Sequence, residues 1–227
     1  MKPNMSSPCS IVVLIGGNGS NLQALIDYQQ NNPHYQIVGV ISHRENAFGL
    51  TRAQQAGIPS LTVDHQHFND RVQFEMALQQ AISNFSPKLV ALAGFMRILS
   101  PSFITDCCVP ILNIHPSLLP HYKGLNTHER VIAAKETQTG VSIHFVTDEL
   151  DGGPIIAQVR VPIFENDTID LLKTRVFAAE HWLYPQVIAW FAQNRLKNEK
   201  NVVTLDGERL DPQGMQLSLP SAQGIVS

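Results

Sequence analysis

Short unbroken runs of aliphatic and β-branched residues alternate along the chain with longer stretches whose apolar positions recur at helical spacing. Ser10 to Ile15 is the first such run. It breaks into Gly16-Gly17-Asn18-Gly19, after which Leu22, Leu25 and Ile26 mark a helix. A second strand is expected over Gln36 to Ile41, then a helix around Ala47 to Ala56 closed by Gly57 and Pro59, and a short strand at Ser60 to Val63. Asn69 or Asp70 caps the next expected helix, whose apolar face is read as Val72, Met76, Ala77 and Ile82.

Leu89 to Ala93 and Ile111 to Ile114 read as buried parallel strands, with Ser100-Pro101 opening a short helix between them. Val141 to Thr147 and Ile155 to Val161 flank the turn Asp151-Gly152-Gly153-Pro154, a spacing that suits a hairpin. A long helix from Thr168 to about Arg195 is expected to break or kink at Pro185. Asp206-Gly207 signals a last hairpin, and Pro212 to Ser227 reads as a loosely held tail. The βαβα order predicts an α/β fold: a Rossmann-like, mostly parallel twisted sheet with helices on both faces, mixed toward one edge.

Composition narrows the function. The 227 residues suit one domain over residues 1–200, followed by a C-terminal hairpin and tail over 201–227. With 44% hydrophobic and 15% charged residues, most of the chain is expected to fold. A net charge of −3 without a Lys/Arg run speaks against a general nucleic-acid binder. The longest uncharged apolar run, Leu89 to Met96, is short of the roughly 20 residues that span a bilayer. Met1 to Ser10 lacks the apolar core of a signal peptide. Three cysteines, Cys9, Cys107 and Cys108, make a poor disulfide framework, so a reducing cytoplasm fits, and buried thiols are a commoner reading than a metal site or a nucleophile.

Two segments carry candidate chemistry. Gly17-Asn18-Gly19-Ser20-Asn21 lies between a strand and a helix, where backbone N–H groups favour a phosphate; a turn that merely needs positive φ would look the same. Leu22 in place of a third glycine excludes a dinucleotide fingerprint, and no Gly-Lys-Ser/Thr follows. Asn113-Ile114-His115-Pro116 ends a predicted parallel strand, and alternation puts Asn113 and His115 on one face. Together they offer an amide and an imidazole to an oxygen that turns negative during acyl transfer, although a loop-bonding Asn and a packed core His would give the same pattern. Asp151, in a glycine-bounded turn, can bring a carboxylate to the imidazole. His-Glu-x-x-His and Gly-x-Ser-x-Gly are both absent, which leaves a zinc enzyme or a nucleophile-elbow hydrolase unsupported and no metal expected.

Four blocks in order resemble the phosphoribosylglycinamide formyltransferase family: Gly17 to Leu22, Ala93 to Ser100, Asn113 to Pro120, and His144 to Gly153. The similarity runs from about Ile11 to Leu210. It implies that residues 1–200 form a single formyltransferase catalytic domain, which moves a formyl group from the co-substrate 10-formyltetrahydrofolate to the amine of 5-phosphoribosylglycinamide in purine biosynthesis. Carried over from the family, Asn113, His115 and Asp151 form the catalytic trio, with His144 and Asp148 adjacent. Gly19, Ser20 and Asn21 hold the substrate phosphate, and Glu180 stands near its amine end. Arg71, Met96, Arg97, Ile98, Leu99 and Asn113 contact the folate.

Gly16 departs from the family pattern, which often has serine there. Methionyl-tRNA formyltransferases and formyltetrahydrofolate deformylases share single blocks, yet each carries a further domain that is not expected here. The implied partners are small molecules alone, in a cytoplasmic monomer or homodimer. A formyltetrahydrofolate hydrolase and a non-catalytic folate- or nucleotide-binding module are the rival readings.

Overall fold

Strand β1 (Cys9–Ile15) shows how one sequence run serves two cores. Its odd residues Ile11, Val13 and Ile15 pack with Leu22, Leu25, Leu172 and Val176 on one side of the sheet, while Val12 and Leu14 pack with Phe74, Leu78 and Phe103 on the other. Successive side chains of a strand point to opposite faces, so an apolar run buried on both sides implies helices on both sides.

The computed structural model describes residues 7–220. The remaining elements are α1 (Ser20–Asn31), β2 (Tyr35–Ser42), α2 (Phe48–Gln55), β3 (Ser60–Thr62), α3 (Arg71–Ser83), β4 (Leu89–Leu92), α4 (Pro101–Asp106), β5 (Ile111–His115), α5 (Thr127–Ala133), β6 (Gln138–Phe145), β7 (Ile155–Pro162), α6 (Ile169–Ala192), β8 (Leu196–Glu199), β9 (Val202–Leu205), β10 (Glu208–Arg209) and β11 (Met215–Leu217). The main sheet has eight strands in the order β11-β7-β6-β5-β4-β1-β2-β3. β3, β2, β1, β4 and β5 run parallel; β6 is antiparallel to both β5 and β7. The sheet is therefore mostly parallel and mixed toward one edge, as expected. β8, β9 and β10 form a separate antiparallel sheet.

Several local expectations change. The buried face of α3 is Phe74, Leu78, Ala81 and Ile82, whereas Val72 and Met76 point outward. Two apolar stripes compete on that helix, and the one bearing Phe74, whose ring meets Phe68 at 5.9 Å, lies against the sheet. Asp70 provides the cap through Gln73 N–H. Helix α6 continues through Pro185 rather than breaking there. Proline removes one backbone donor, and the buried neighbours Leu183, Tyr184, Val187 and Ile188 hold both sides of that gap. The stretch read as tail contains β11, a parallel strand on the outer edge of β7; residues 221–227 lie outside the described region. The expected boundary after residue 200 falls in the turn between β8 and β9, which pair with each other. Helix α5 and strand β8 went unread in the sequence.

Candidate active site

The carboxyl end of β5 carries Asn113 and His115 on one face. Antiparallel pairing with β6 sets His144 directly opposite Asn113 and Ser142 opposite His115. His144 Nδ1 donates to its neighbour's carbonyl, Phe145 O, at 2.9 Å, so the neutral ring presents Nε2 as an acceptor. Asn113 Nδ2 donates to that nitrogen at 3.1 Å. His144 thereby fixes which way the Asn113 amide faces, and half-buried Asn113 keeps a second amide hydrogen for a ligand.

Asp151 arrives from the turn between β6 and β7. Gly153 sits so close to Phe145 O that a Cβ there would collide with the backbone, which explains the glycine in this turn. Asp151 Oδ2 lies 3.5 Å from His115 Nδ1, and Oδ1 lies 3.7 Å from His144 Nε2. The Gly124 N–H donates to Oδ2 at 2.8 Å, tying the loop after β5 to the same carboxylate. That loop is also held from below by buried polar groups: Ser142 Oγ donates to Ser117 O at 2.7 Å, and Gln158 Nε2 donates to Leu119 O at 2.9 Å. Sequence reading named neither Ser142 nor Gln158; their alternation onto the inner face of a hairpin was the available signal.

Burial would raise the Asp151 carboxyl, but its surroundings, the His115 ring and the Gly124 N–H among them, more than reverse this and hold it below the usual carboxylate range. For His115 burial dominates and lowers the pKa, against an upward pull from Asp151 and from the Tyr122 carbonyl. The upward pull of Asp151 on His115 is present, and burial outweighs it. His115 Nε2 donates to Tyr122 O at 2.9 Å, while Nδ1 faces Asp151. Both ring nitrogens are occupied by acceptors in this conformation.

The glycine loop leads into α1 with Gly19 at φ 75°, a left-handed conformation that glycine adopts freely. Ser20 and Asn21 form the first turn of α1, whose backbone N–H groups and dipole favour an anion. The Asn21 side chain does not hang free: Nδ2 donates to Glu180 Oε2 at 2.7 Å, and its buried Oδ1 is unpartnered. Glu180, 4% exposed on α6, has its pKa pushed up to about 7 by burial, against the single Asn21 hydrogen bond. The structure therefore joins Glu180 to the glycine loop.

On the other side of β4, Met96 and Ile98 are exposed, Leu99 is buried, and Arg97 points outward. Arg71 reaches this segment from α3 and donates to Ile98 O at 2.8 Å. Asp148 is exposed on the β6–β7 turn, beside a cavity of about 670 Å³ that Lys123, Asp151 and Arg209 also line. Gly16 has a specific cause in this chain: the His43 imidazole occupies the space where a Cβ would stand. Nδ1 of that ring donates to Ile15 O at 3.0 Å, and the ring meets Phe95 edge-on at 4.8 Å. Among the described residues no group of three or more His, Cys, Asp or Glu is placed to hold a metal ion. No described helix is long and apolar enough to cross a membrane.

Comparison with known proteins gives one answer. The chain is 50% identical over 206 residues to phosphoribosylglycinamide formyltransferase of Escherichia coli K12, covering 90% of this chain and 97% of that one. It is 43% identical over 192 residues to the human trifunctional purine biosynthetic protein adenosine-3, covering 84% of this chain and 19% of that larger protein. The structure of phosphoribosylglycinamide formyltransferase from Coxiella burnetii superposes with a TM-score of 0.88 at 52% identity, covering 92% of this chain and 99% of that one. With the formyl transferase family model matching residues 9–188, the chain belongs to the formyl transferase family.

Proposed function

We propose that this chain transfers the formyl group of 10-formyltetrahydrofolate to the amine of 5-phosphoribosylglycinamide, giving formylglycinamide ribonucleotide and tetrahydrofolate, in the cytoplasm. The observation that carries the reading is the Asn113–His144 and His115–Asp151 arrangement at a strand end, in a chain similar over its length to phosphoribosylglycinamide formyltransferases. The substrate phosphate is assigned to the first turn of α1 at Gly19, Ser20 and Asn21, with Glu180 toward the amine end. The folate is assigned to the crevice between the Met96–Leu99 segment and the end of β5, with Arg71 and Arg97 at its rim. Exposed apolar Met96 and Ile98 suit a flat aromatic ring system, and the two guanidinium groups suit a ligand that carries carboxylates.

The substrate amine attacks the formyl carbon; a new N–C bond forms, the bond from that carbon to the folate nitrogen breaks, and one proton passes from the amine to the folate nitrogen. As the formyl oxygen becomes negative, Asn113 Nδ2 donates to it from an orientation already set by His144. His115 Nε2–H exchanges the Tyr122 carbonyl for the same oxygen. Asp151, held ionised, favours the imidazolium as negative charge develops nearby. No side chain is acylated.

Steady-state formyl transfer with and without 5-phosphoribosylglycinamide tests this reading against its rivals. Turnover that requires the amine supports it. Release of formate at the same rate without amine would make the chain a hydrolase, and binding of both ligands without turnover would make it a binding module.

A further inference from the structure

Helix α3 carries a glutamate, Glu75, on its inward face beside Phe74 and Leu78, only 7% exposed. A buried carboxylate is costly unless donors meet its oxygens. Here Oε1 accepts from Arg71 Nε at 2.9 Å and from the Ser100 backbone N–H at 2.8 Å, and Oε2 accepts from the Ser100 hydroxyl. Arg71 also donates to Ile98 O at 2.8 Å. Ser100 Oγ accepts from Phe103 N–H at 3.1 Å and caps α4. One carboxylate therefore fixes a guanidinium from α3 and closes the far end of the Met96–Ser100 segment, in which Met96 and Ile98 stand 62% and 65% exposed.

We propose that Glu75 is a positioning residue for the formyl-folate: it holds the Arg71 guanidinium and the Met96–Ser100 backbone in the arrangement the folate meets, without touching the reacting atoms. This inference rests on the folate placement given above. The Arg71 side chain is about half exposed, and a free arginine loses much rotamer freedom when a ligand immobilises it. Glu75 removes that freedom beforehand, so less is lost when the folate arrives. It also restrains a chain segment that buries Leu99 but leaves Met96 and Ile98 exposed. A purely structural role would act on both substrates and on stability together, whereas this role acts on the folate alone.

The test begins with hydrogen exchange on the intact wild-type chain, using a 10-formyl-folate analogue that cannot transfer its group; protection is expected over residues 96–99. Glu75→Gln keeps the side-chain size but removes the charge and leaves a single oxygen to meet the donors of Ser100 and Arg71. It is expected to weaken analogue binding roughly tenfold or more, the order of one lost charge-assisted hydrogen bond, with the KM for 5-phosphoribosylglycinamide unchanged within about twofold. Arg71→Met combined with Glu75→Gln should lose less than the product of the two single losses, because Glu75 acts in part through Arg71. Ser100→Ala, which keeps the Glu75–Arg71 pair, should show a smaller loss with the same selectivity and serves if Glu75→Gln does not fold. Absence of protection at 96–99 in the wild type would overturn the folate placement and this inference with it. Protection there together with unaltered analogue affinity in Glu75→Gln and Ser100→Ala would overturn this inference alone, as would equal losses for both substrates.

Discussion

Two inward-facing carboxyl groups flank the candidate site, and their environments send them in opposite directions. Glu180 has one hydrogen-bond donor, Asn21 Nδ2, and burial pushes its pKa up to about 7. Asp151 is less deeply enclosed, and its surroundings, the His115 ring and the Gly124 N–H among them, overcome burial and hold it low. Depth and the donors at hand together decide whether an inward-facing acid carries charge. The pair thus divides the site into a region where a carboxyl can pass between its two forms near neutral pH and a region where a carboxylate stays fixed beside an imidazole.

The largest effect that would sharpen this contrast is expected from Asp151→Asn. Removing the fixed charge should lower kcat on the order of 10²-fold, a typical general acid–base contribution, and lower the His115 pKa further. The alkaline limb of the kcat profile should then move to lower pH. A pH–rate series on both proteins checks it; an unmoved limb would mean that Asp151 does not act through His115.

Next in size is the effect of Glu180 on stability. Its folded pKa lies above the usual glutamate value, so its contribution is fully present below about pH 4.5 and lost as pH rises through about 7. The loss across that window is about 3 kcal/mol from a shift of this size. Asp151 has the opposite sign: its contribution is present above the unfolded pKa and lost as pH falls through the depressed folded value. His43, His115, His128 and His181, all lowered mainly by burial, favour folding as pH rises toward 6.5 and partly mask the Glu180 slope. The difference in unfolding free energy between wild type and Glu180→Gln, followed from pH 5 to 8, cancels those histidines. It should change by most of that amount, and a flat difference would contradict the assignment.

How much of this was open to sequence reading depends on the range over which each feature is determined. The glycine loop, the Asp70 cap and the shared face of Asn113 and His115 follow from neighbours a few residues apart and were legible. The partners that give those residues their properties were not. His144 orients Asn113 through a strand register linking positions 31 residues apart, and Tyr122 meets His115 through a loop folded back on its own strand. His43 fills the space above Gly16 because β2 runs beside β1, so the departure at Gly16 was visible but its cause was not. Val72 and Met76 misled because a helix with two apolar stripes leaves its buried side to tertiary contacts.

A smaller effect is expected from Asn21→Ala, which removes the one donor to Glu180 and should raise that carboxyl further. A carbon-detected titration of the labelled Glu180 carboxyl checks it. A fall instead would mean that Asn21 does not stabilise the charged form, and the two carboxyl groups would no longer differ for the reason given.

The claim that Asn113 and His115 stabilise one developing oxyanion as a unit is tested most directly by a double-variant cycle on kcat. Asn113→Ala alone should lower kcat on the order of 10²- to 10³-fold, as loss of one oxyanion donor does elsewhere. If the two side chains serve the same oxygen, Asn113→Ala with His115→Ala should reduce kcat far less than the product of the single reductions. Single losses that multiply in full, in variants that remain folded and still bind both substrates, would contradict the account.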